Sequence, residues 1–242
     1  MANPTAAMLV IGDEILSGRT RDSNTNHLAQ ELTSNGITLA EVRMVPDNIA
    51  VIIDAVRALS DAYDHVFTSG GIGPTHDDIT ADAIAEAFGV GLDVRDDARE
   101  LMQAHYDRAG MEFNAARIRM ARIPDGATLI ENPVSVAPGF TVENVHVMAG
   151  VPAVFEAMVA SIVPTLASGE QVLSQSLRVL RGEGDIAGPL GEVAKAHPEV
   201  SIGSYPFTRD GVFGSNIVVR STDGAAVDAV ITELARLFHV RR

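Results

Sequence analysis

The sequence of 242 residues contains no cysteine. Disulfides, thiolate zinc sites, iron–sulfur clusters and a cysteine nucleophile are therefore excluded within this chain. Lysine occurs once, at Lys195, in a stretch that reads as an ordinary surface helix. With no Gly-Lys pair there is no Walker A loop, and a Schiff-base lysine is not expected. No apolar run approaches the roughly 18 residues of a membrane span. The opening MANPTAAMLVIGDE has no basic region ahead of its apolar stretch. It reads as a first strand rather than a signal peptide, so a cytoplasmic protein without a membrane partner is expected. Positive charge is scarce too: 18 Lys and Arg face 32 Asp and Glu, a formal charge of −14. Nucleic acid is not an expected partner, because non-specific binding needs a basic face.

What the chain has instead is FTSGGIGPTHDDIT, Phe67 to Thr80. An apolar run stops at Gly70, Gly71 and Gly73, Pro74 follows, and Asp77 and Asp78 open a helical pattern. Glycine permits positive φ and close approach of backbone to a ligand. A helix N-terminus attracts anions, yet two carboxylates already sit there. Backbone N–H groups beside carboxylates suit an anionic ligand that carries a metal ion. A plain strand-to-helix turn capped by Asp77 or Asp78 explains one aspartate, but not three glycines and a proline as well. The pattern is not G-x-G-x-x-G, so the dinucleotide fingerprint is absent. No histidines show metal spacing, and only His76, inside the loop, is carried forward as a ligand contact. No G-x-S-x-G elbow surrounds Ser135, which leaves a serine hydrolase without support.

Residues 6–11, 37–45 and 65–69 read as strands. A helix is expected after each. The first carries Leu28 and Leu32, capped by Asp22 or Ser23 and stopped at Gly36. The second carries Ile52, Ile53, Val56 and Leu59, capped by Asp47 or Asn48. The third spans 79–88 and closes at Gly89. This alternation is the rhythm of a parallel α/β sheet, whose ligands bind beyond the carboxyl ends of the strands. Asp13, Asp47 and the 70–78 loop each follow a strand end and are expected on one rim. Singly, Asp13 and Glu14 are a polar turn, Asp47 a cap and Asn24 a first-turn polar residue; convergence on one rim lifts them above that.

Residues 94–108 and 114–122 read as helices, the latter bearing a basic cluster of Arg117, Arg119 and Arg122. Strands are expected over 127–130, 139–142 and 145–148, with a turn-rich loop over 132–140. A helix opened by Pro152 runs to about Leu166. Ala167-Ser168-Gly169-Glu170 reads as a boundary. Beyond it, strand 172–180, helix 186–196, strands 200–205 and 213–219 and helix 225–237 describe a small α+β domain. The expected division is an α/β domain over 1–167 and the small domain over 170–242.

These residues resemble the molybdopterin-binding family, the domain shared by molybdenum-cofactor biosynthesis proteins, and within it the N-terminal part of competence/damage-inducible CinA-type proteins. The matching residues are Gly12-Asp13-Glu14 with Gly18; Asp22-x-Asn24 with Leu28-Ala29; Val45-x-Asp47; and Thr68 to Thr80. Asn132, then Ala137-Pro138-Gly139-Phe140, and Gly150-Val151-Pro152 with Met158 complete the set. The resemblance implies a three-layer α/β/α fold with a mostly parallel sheet, and a homo-oligomer. It implies a pterin or nucleotide phosphate, molybdopterin among the candidates, held at the Gly70–Asp78 loop. Gly12, Asn24, Gly70, Gly71, Gly73, Pro74, Thr75, Ser135, Pro138 and Gly139 are the expected ligand-binding residues. Asp47 and Asp78 match aspartates associated with metal-assisted chemistry. With Asp13, they are the expected ligands of Mg2+ or another divalent cation. CinA-type members are associated with metal-dependent pyrophosphatase activity on ADP-ribose, and related domains fused to FAD synthetases with FAD hydrolysis. The segment after Leu166, including IGSYPF, resembles the small second domain of that group.

Three positions depart from the family pattern. Ala149 stands where a proline is common, Val154 where a glutamate is common, and Ser135 where a glycine is common. The deamidase domain of long CinA proteins does not follow, so deamidation of nicotinamide mononucleotide is not expected. Three readings stay open: a nucleotide pyrophosphatase using hard oxygen ligands, a molybdopterin or nucleotide carrier without turnover, and a structural or regulatory subunit.

Overall fold

Strand β1 (Thr5–Ile11) is buried from Ala6 onward. A strand buried on both faces belongs inside a sheet covered by helices on either side. Its alternate residues enter two separate cores. Ala7, Leu9 and Ile11 pack with Ile52, Val56, Leu59 and Ile84. Ala6, Met8 and Val10 pack with Leu28, Leu32, Phe155 and Met158. The period of two in a strand thus builds a three-layer arrangement, and each large apolar side chain buried in it contributes about 1.5–3 kcal/mol.

The computed structural model describes residues 3–209 and 211–240, and the chain divides into two compact units, 1–169 and 170–242. In the first unit, α1 (Asp13–Leu16) and α2 (Asn24–Ser34) lead to β2 (Thr38–Val45), and α3 (Ile49–Ala62) leads to β3 (His65–Ser69). Then come α4 (Thr80–Phe88), β4 (Leu92–Val94), α5 (Asp96–Arg108), α6 (Ala115–Ile118) and β5 (Arg122–Pro124). Strands β6 (Thr128–Ile130), β7 (Gly139–Val142) and β8 (Val145–Met148) precede α7 (Pro152–Ile162). The main sheet has the order β2-β1-β3-β8-β7-β6. Strands β2, β1, β3 and β8 run parallel, and β7 runs against both its neighbours. The loops that follow β1, β2, β3 and β8 therefore open on the same edge.

Local sequence explains the helix ends. Asn48, not Asp47, caps α3: its side chain accepts from the N–H groups of Ala50 and Val51. That leaves the Asp47 carboxylate for the rim. Asp22 accepts from the N–H groups of Asn24 and Thr25 at 3.0 and 3.2 Å, and Gly89 ends α4 in the left-handed conformation at φ 67°.

Two expected helices are shorter than their patterns. Val94 lies in β4, paired antiparallel with Arg122 of β5. The Arg95 N–H donates to the Ala121 carbonyl at 2.9 Å, so the ribbon takes the first residues of that segment and α5 starts after it. Likewise α6 ends at Ile118, a 3-10 turn covers Arg119–Ala121, and Arg122 is already strand. Helix α7 passes into a 3-10 turn over Val163–Thr165.

The second unit comprises β9 (Leu173–Val179), α8 (Glu183–Ala196), β10 (Ser201–Arg209), β11 (Val212–Ser221) and α9 (Gly224–Leu237). Its antiparallel sheet has the order β10-β11-β9. Leu177, Val179, Ile217 and Val219 pack with Val230 and Leu234 in a core of its own. Among the described residues no helix is long and apolar enough to cross a membrane.

Candidate ligand cavity

The loops at the carboxyl ends of β1, β2, β3 and β8 meet around a cavity of about 530 Å³, an ordinary size for a small-molecule site. Its floor is main chain. Gly70 has φ 109°, and a Cβ there would stand 2.2 Å from the Ile11 carbonyl oxygen. A Cβ on Gly150 would stand 3.3 Å from the Gly70 Cα. At Gly70 only glycine lets the loop after β3 close this tightly on the end of β1. The Gly70 N–H donates to the Met148 carbonyl and the Gly12 N–H to the Val45 carbonyl, at 3.1 and 3.2 Å.

The glycine loop is clamped by a buried threonine. The Thr80 hydroxyl donates to the Gly70 carbonyl at 3.0 Å, and its N–H donates to the Gly71 carbonyl at 2.9 Å. Gly71, at φ 70°, leaves room for that hydroxyl, which a Cβ would meet at 2.1 Å. Gly73 leaves room for a carboxylate: a Cβ there would stand 2.6 Å from Asp78 Oδ2. That same oxygen accepts from the Thr75 N–H at 2.7 Å and the Thr75 hydroxyl at 2.6 Å. The Asp78 carboxylate is thus aimed by its own loop.

Asp47 lines the cavity together with Glu14, Asp77 and Asp78. Its Oδ2 accepts from the Asp13 N–H at 2.9 Å. Burial pushes the Asp47 carboxyl above the usual carboxylate range; the Asp13 hydrogen bond opposes this, and the charges of Asp13, Glu14 and Asp77 add to it.

Gly12, Gly70, Gly71, Gly73, Pro74 and Ser135 line the cavity with Asp47 and Asp78, as the sequence places them. Six expected residues do not. Asp13 turns its main-chain N–H to Asp47. Asn24 is buried behind the site, where its Nδ2 donates to the Ser69 hydroxyl and the Gly150 carbonyl, both at 2.8 Å. It ties the loops after β3 and β8 to α2. Thr75 holds Asp78 from outside. Pro138 borders a separate recess of about 20 Å³. Gly139 lies within β7, where a Cβ would meet the Val147 carbonyl at 2.4 Å. His76 has a side chain 98% exposed and lines none of the cavity.

Some contributors had little local signal. Glu14 reads as a polar turn, yet it faces the cavity. Asn132 organises the 132–137 loop: its Oδ1 accepts from the N–H groups of Val134 and Ser135, and its Nδ2 donates to the Ser135 hydroxyl and the Ala137 carbonyl. Arg119 donates through Nη2 to the Asp78 carbonyl at 2.9 Å, from 41 positions away. The cavity also has apolar wall residues, Ile72, Met120, Val151 and Val154.

A glycine-floored cavity at the carboxyl edge of a mostly parallel sheet defines a ligand-binding α/β domain. A family model described as "Probable molybdopterin binding domain" matches residues 7–168, and one described as "FAD synthase, middle domain" matches residues 171–241. The chain belongs to the molybdopterin-binding domain family. A protein of Archaeoglobus fulgidus is 35% identical over 199 residues, which cover 82% of this chain and 84% of that one. A "Probable FAD synthase" of Caenorhabditis elegans is 30% identical over 259 residues, covering 96% of this chain and 50% of that protein. Among solved structures, CinA of Thermoplasma acidophilum, described as of unknown function, is 32% identical with a TM-score of 0.62. That match covers 68% of this chain and 99% of the CinA chain.

Proposed function

We propose that the cavity binds a nucleotide diphosphate or pterin phosphate and that the protein hydrolyses a nucleotide pyrophosphate, of the ADP-ribose or FAD kind, with a divalent cation. The observation that carries this reading is the combination in one cavity of a main-chain floor at Gly70, Gly71 and Gly73, two anchored carboxylates, Asp47 and Asp78, and an apolar wall. The floor suits phosphate, the wall suits a planar ring, and the likeness to a "Probable FAD synthase" supports a nucleotide.

The donor set fits a hard cation of a particular kind. Among the described residues no three His, Asp or Glu side chains gather closely enough to cage a metal, so Asp13, Asp47 and Asp78 do not form a ready-made trio. Mg2+ commonly binds through one or two carboxylates, water and the phosphates of its substrate. Asp47 and Asp78 would hold such an ion, each with one oxygen already fixed by a donor from the protein. When bound, the cation neutralises charge on the phosphate oxygens. The loop amides at Gly70–Gly73 would orient the diphosphate. Water attacks one phosphorus, the bridging P–O bond breaks, and two phosphomonoesters leave. The proton of that water passes to solvent, and the Asp47 and Asp78 carboxylates keep their place beside the phosphates.

Val154 supports a second reading. It is only 7% exposed and lines the cavity where the family resemblance calls for a glutamate, which suits a carrier that binds without turnover. One assay separates the two. Metal-free protein is incubated with ADP-ribose or FAD, Mg2+, Mn2+ or Co2+ is added, and AMP is measured. AMP above a no-protein control is expected. No AMP, with ligand binding intact by calorimetry, sinks the hydrolase and leaves the carrier.

A further inference from the structure

We propose that Arg119 is a positioning residue that sets the Asp78 carboxylate through the main chain. The proposal rests on the reading of Asp78 as a residue of the reaction. Arg119 lies in the 3-10 turn after α6, and its Nη2 donates to the Asp78 carbonyl at 2.9 Å. The same nitrogen stands 3.8 Å from Asp82 Oδ2. Arg122 grips Asp82 with both ends of its guanidinium, Nη1 to Oδ2 at 3.1 Å and Nη2 to Oδ1 at 2.5 Å. Asp82 in the first turn of α4 is thereby a post to which Arg119 is moored, and Arg119 reaches from it to the loop.

The glycine loop then has two anchors of different kinds. Thr80 fixes Gly70 and Gly71 at its start. Arg119 fixes the carbonyl of Asp78 at its end, and the side chain of that residue is fixed in turn by Thr75. The other arginine of the cluster behaves differently: Arg117 stacks on the Tyr106 ring at 4.6 Å and donates to the Glu112 carbonyl. Arg119 also carries a cost. Its Nε is buried with no hydrogen-bond partner among the described residues. An unsatisfied buried donor is destabilising, and such costs persist where the surrounding structure needs the geometry. An arginine serving only to solvate the surface would not hold this position.

The test uses Arg119→Met and Arg119→Lys in the full chain. Amide hydrogen exchange is read at Thr75, whose N–H is bonded to the Asp78 carboxylate. Arg119→Met should speed exchange there at least about tenfold; unchanged exchange overturns the proposal. With ADP-ribose and Mg2+, Arg119→Met should lower kcat about tenfold or more while the ligand Kd changes less than threefold. Arg119→Lys, able to donate one bond to the carbonyl, should recover most of the loss. In an Asp78→Asn background, Arg119→Met should have no further effect on kcat. Multiplicative losses would mean that Arg119 acts independently of Asp78, and the proposal fails. If the wild-type protein releases no AMP, the hydrolase reading fails by itself and the exchange result alone decides. If Arg119→Met does not fold, Arg119→Gln, too short to reach the Asp78 carbonyl, supplies the exchange comparison: accelerated exchange upholds the proposal and unchanged exchange overturns it.

Discussion

The main-chain N–H of Asp13 lies 2.9 Å from Oδ2 of Asp47, so the backbone after β1 holds the carboxylate after β2. The two loops are 34 positions apart in sequence and come together because β1 and β2 are parallel neighbours in register, Ile11 beside Val45. The carboxylate is oriented without using the Asp13 side chain.

Asp47→Asn should separate stability from turnover. The folded protein raises the Asp47 pKa above its ordinary 3.8, chiefly by burial. The stability tied to that bound proton is present below the unfolded value and is lost as pH rises through the folded value. At pH 7 the charged group is therefore a burden, and asparagine can still accept from the Asp13 N–H. The variant should melt about 1–3 °C higher at neutral pH, with that gain shrinking in acid, while AMP release is lost. Melting curves at two pH values check it.

Asp78→Asn should leave the fold in place and stop the chemistry. Its amide oxygen can accept both Thr75 bonds, so stability should change by less than about 0.5 kcal/mol. Metal-dependent kcat should fall by about 100-fold or more. Activity near the wild-type level would remove Asp78 from the reaction.

Gly70→Ala should be severe because it strikes backbone on backbone. The new Cβ would collide with the Ile11 carbonyl at a φ of 109°, and a loss of at least about 2 kcal/mol in urea denaturation is expected. Gly18→Ala is the control. It has φ 72° with nothing within 4 Å of a Cβ, so it should cost only about 1 kcal/mol.

His146 predicts the acid limb of stability. Its Nε2 lies 3.2 Å from His65 Nδ1 and its Nδ1 lies 3.0 Å from the Thr141 hydroxyl. Burial, helped by the neighbouring His65, pushes its pKa from 6.5 down to about 3. A base that is neutral when folded contributes stability fully above the unfolded value, and loses it as pH falls through the folded one. Between pH 6.5 and about 4 the wild type should lose more than ~1 kcal/mol on this account. His146→Phe should flatten that slope in pH-dependent denaturation.

Much of the site was legible because its signals are local. Gly71 and Gly73 are demanded by contacts within their own turn, with Thr80 and Asp78, and the apolar runs before Asp13, Asp47 and Gly70 mark strand ends directly. What escaped was set at long range. Asn24 is a tie rather than a rim residue because its partners, Ser69 and Gly150, lie 45 and 126 positions away. Strand β4 has only three residues, too short for a period to show against the helix that follows. Arg119 looked like one of three surface arginines, and no spacing rule joins it to Asp78. Asp13 was expected to offer its side chain, but a main-chain donor has no signature in residue type.

Gly70 lies so close to the Ile11 carbonyl that no side chain can be added at that point of the cavity floor. Selectivity among ligands must then be written in the walls. Replacing Met120, Val151 and Val154 while the floor stays constant should then change which ligand the cavity accepts. A library built to change what this cavity accepts should vary those three positions and spare Gly70 and Gly71, where a substitution would be scored as a folding failure before it could be scored for binding.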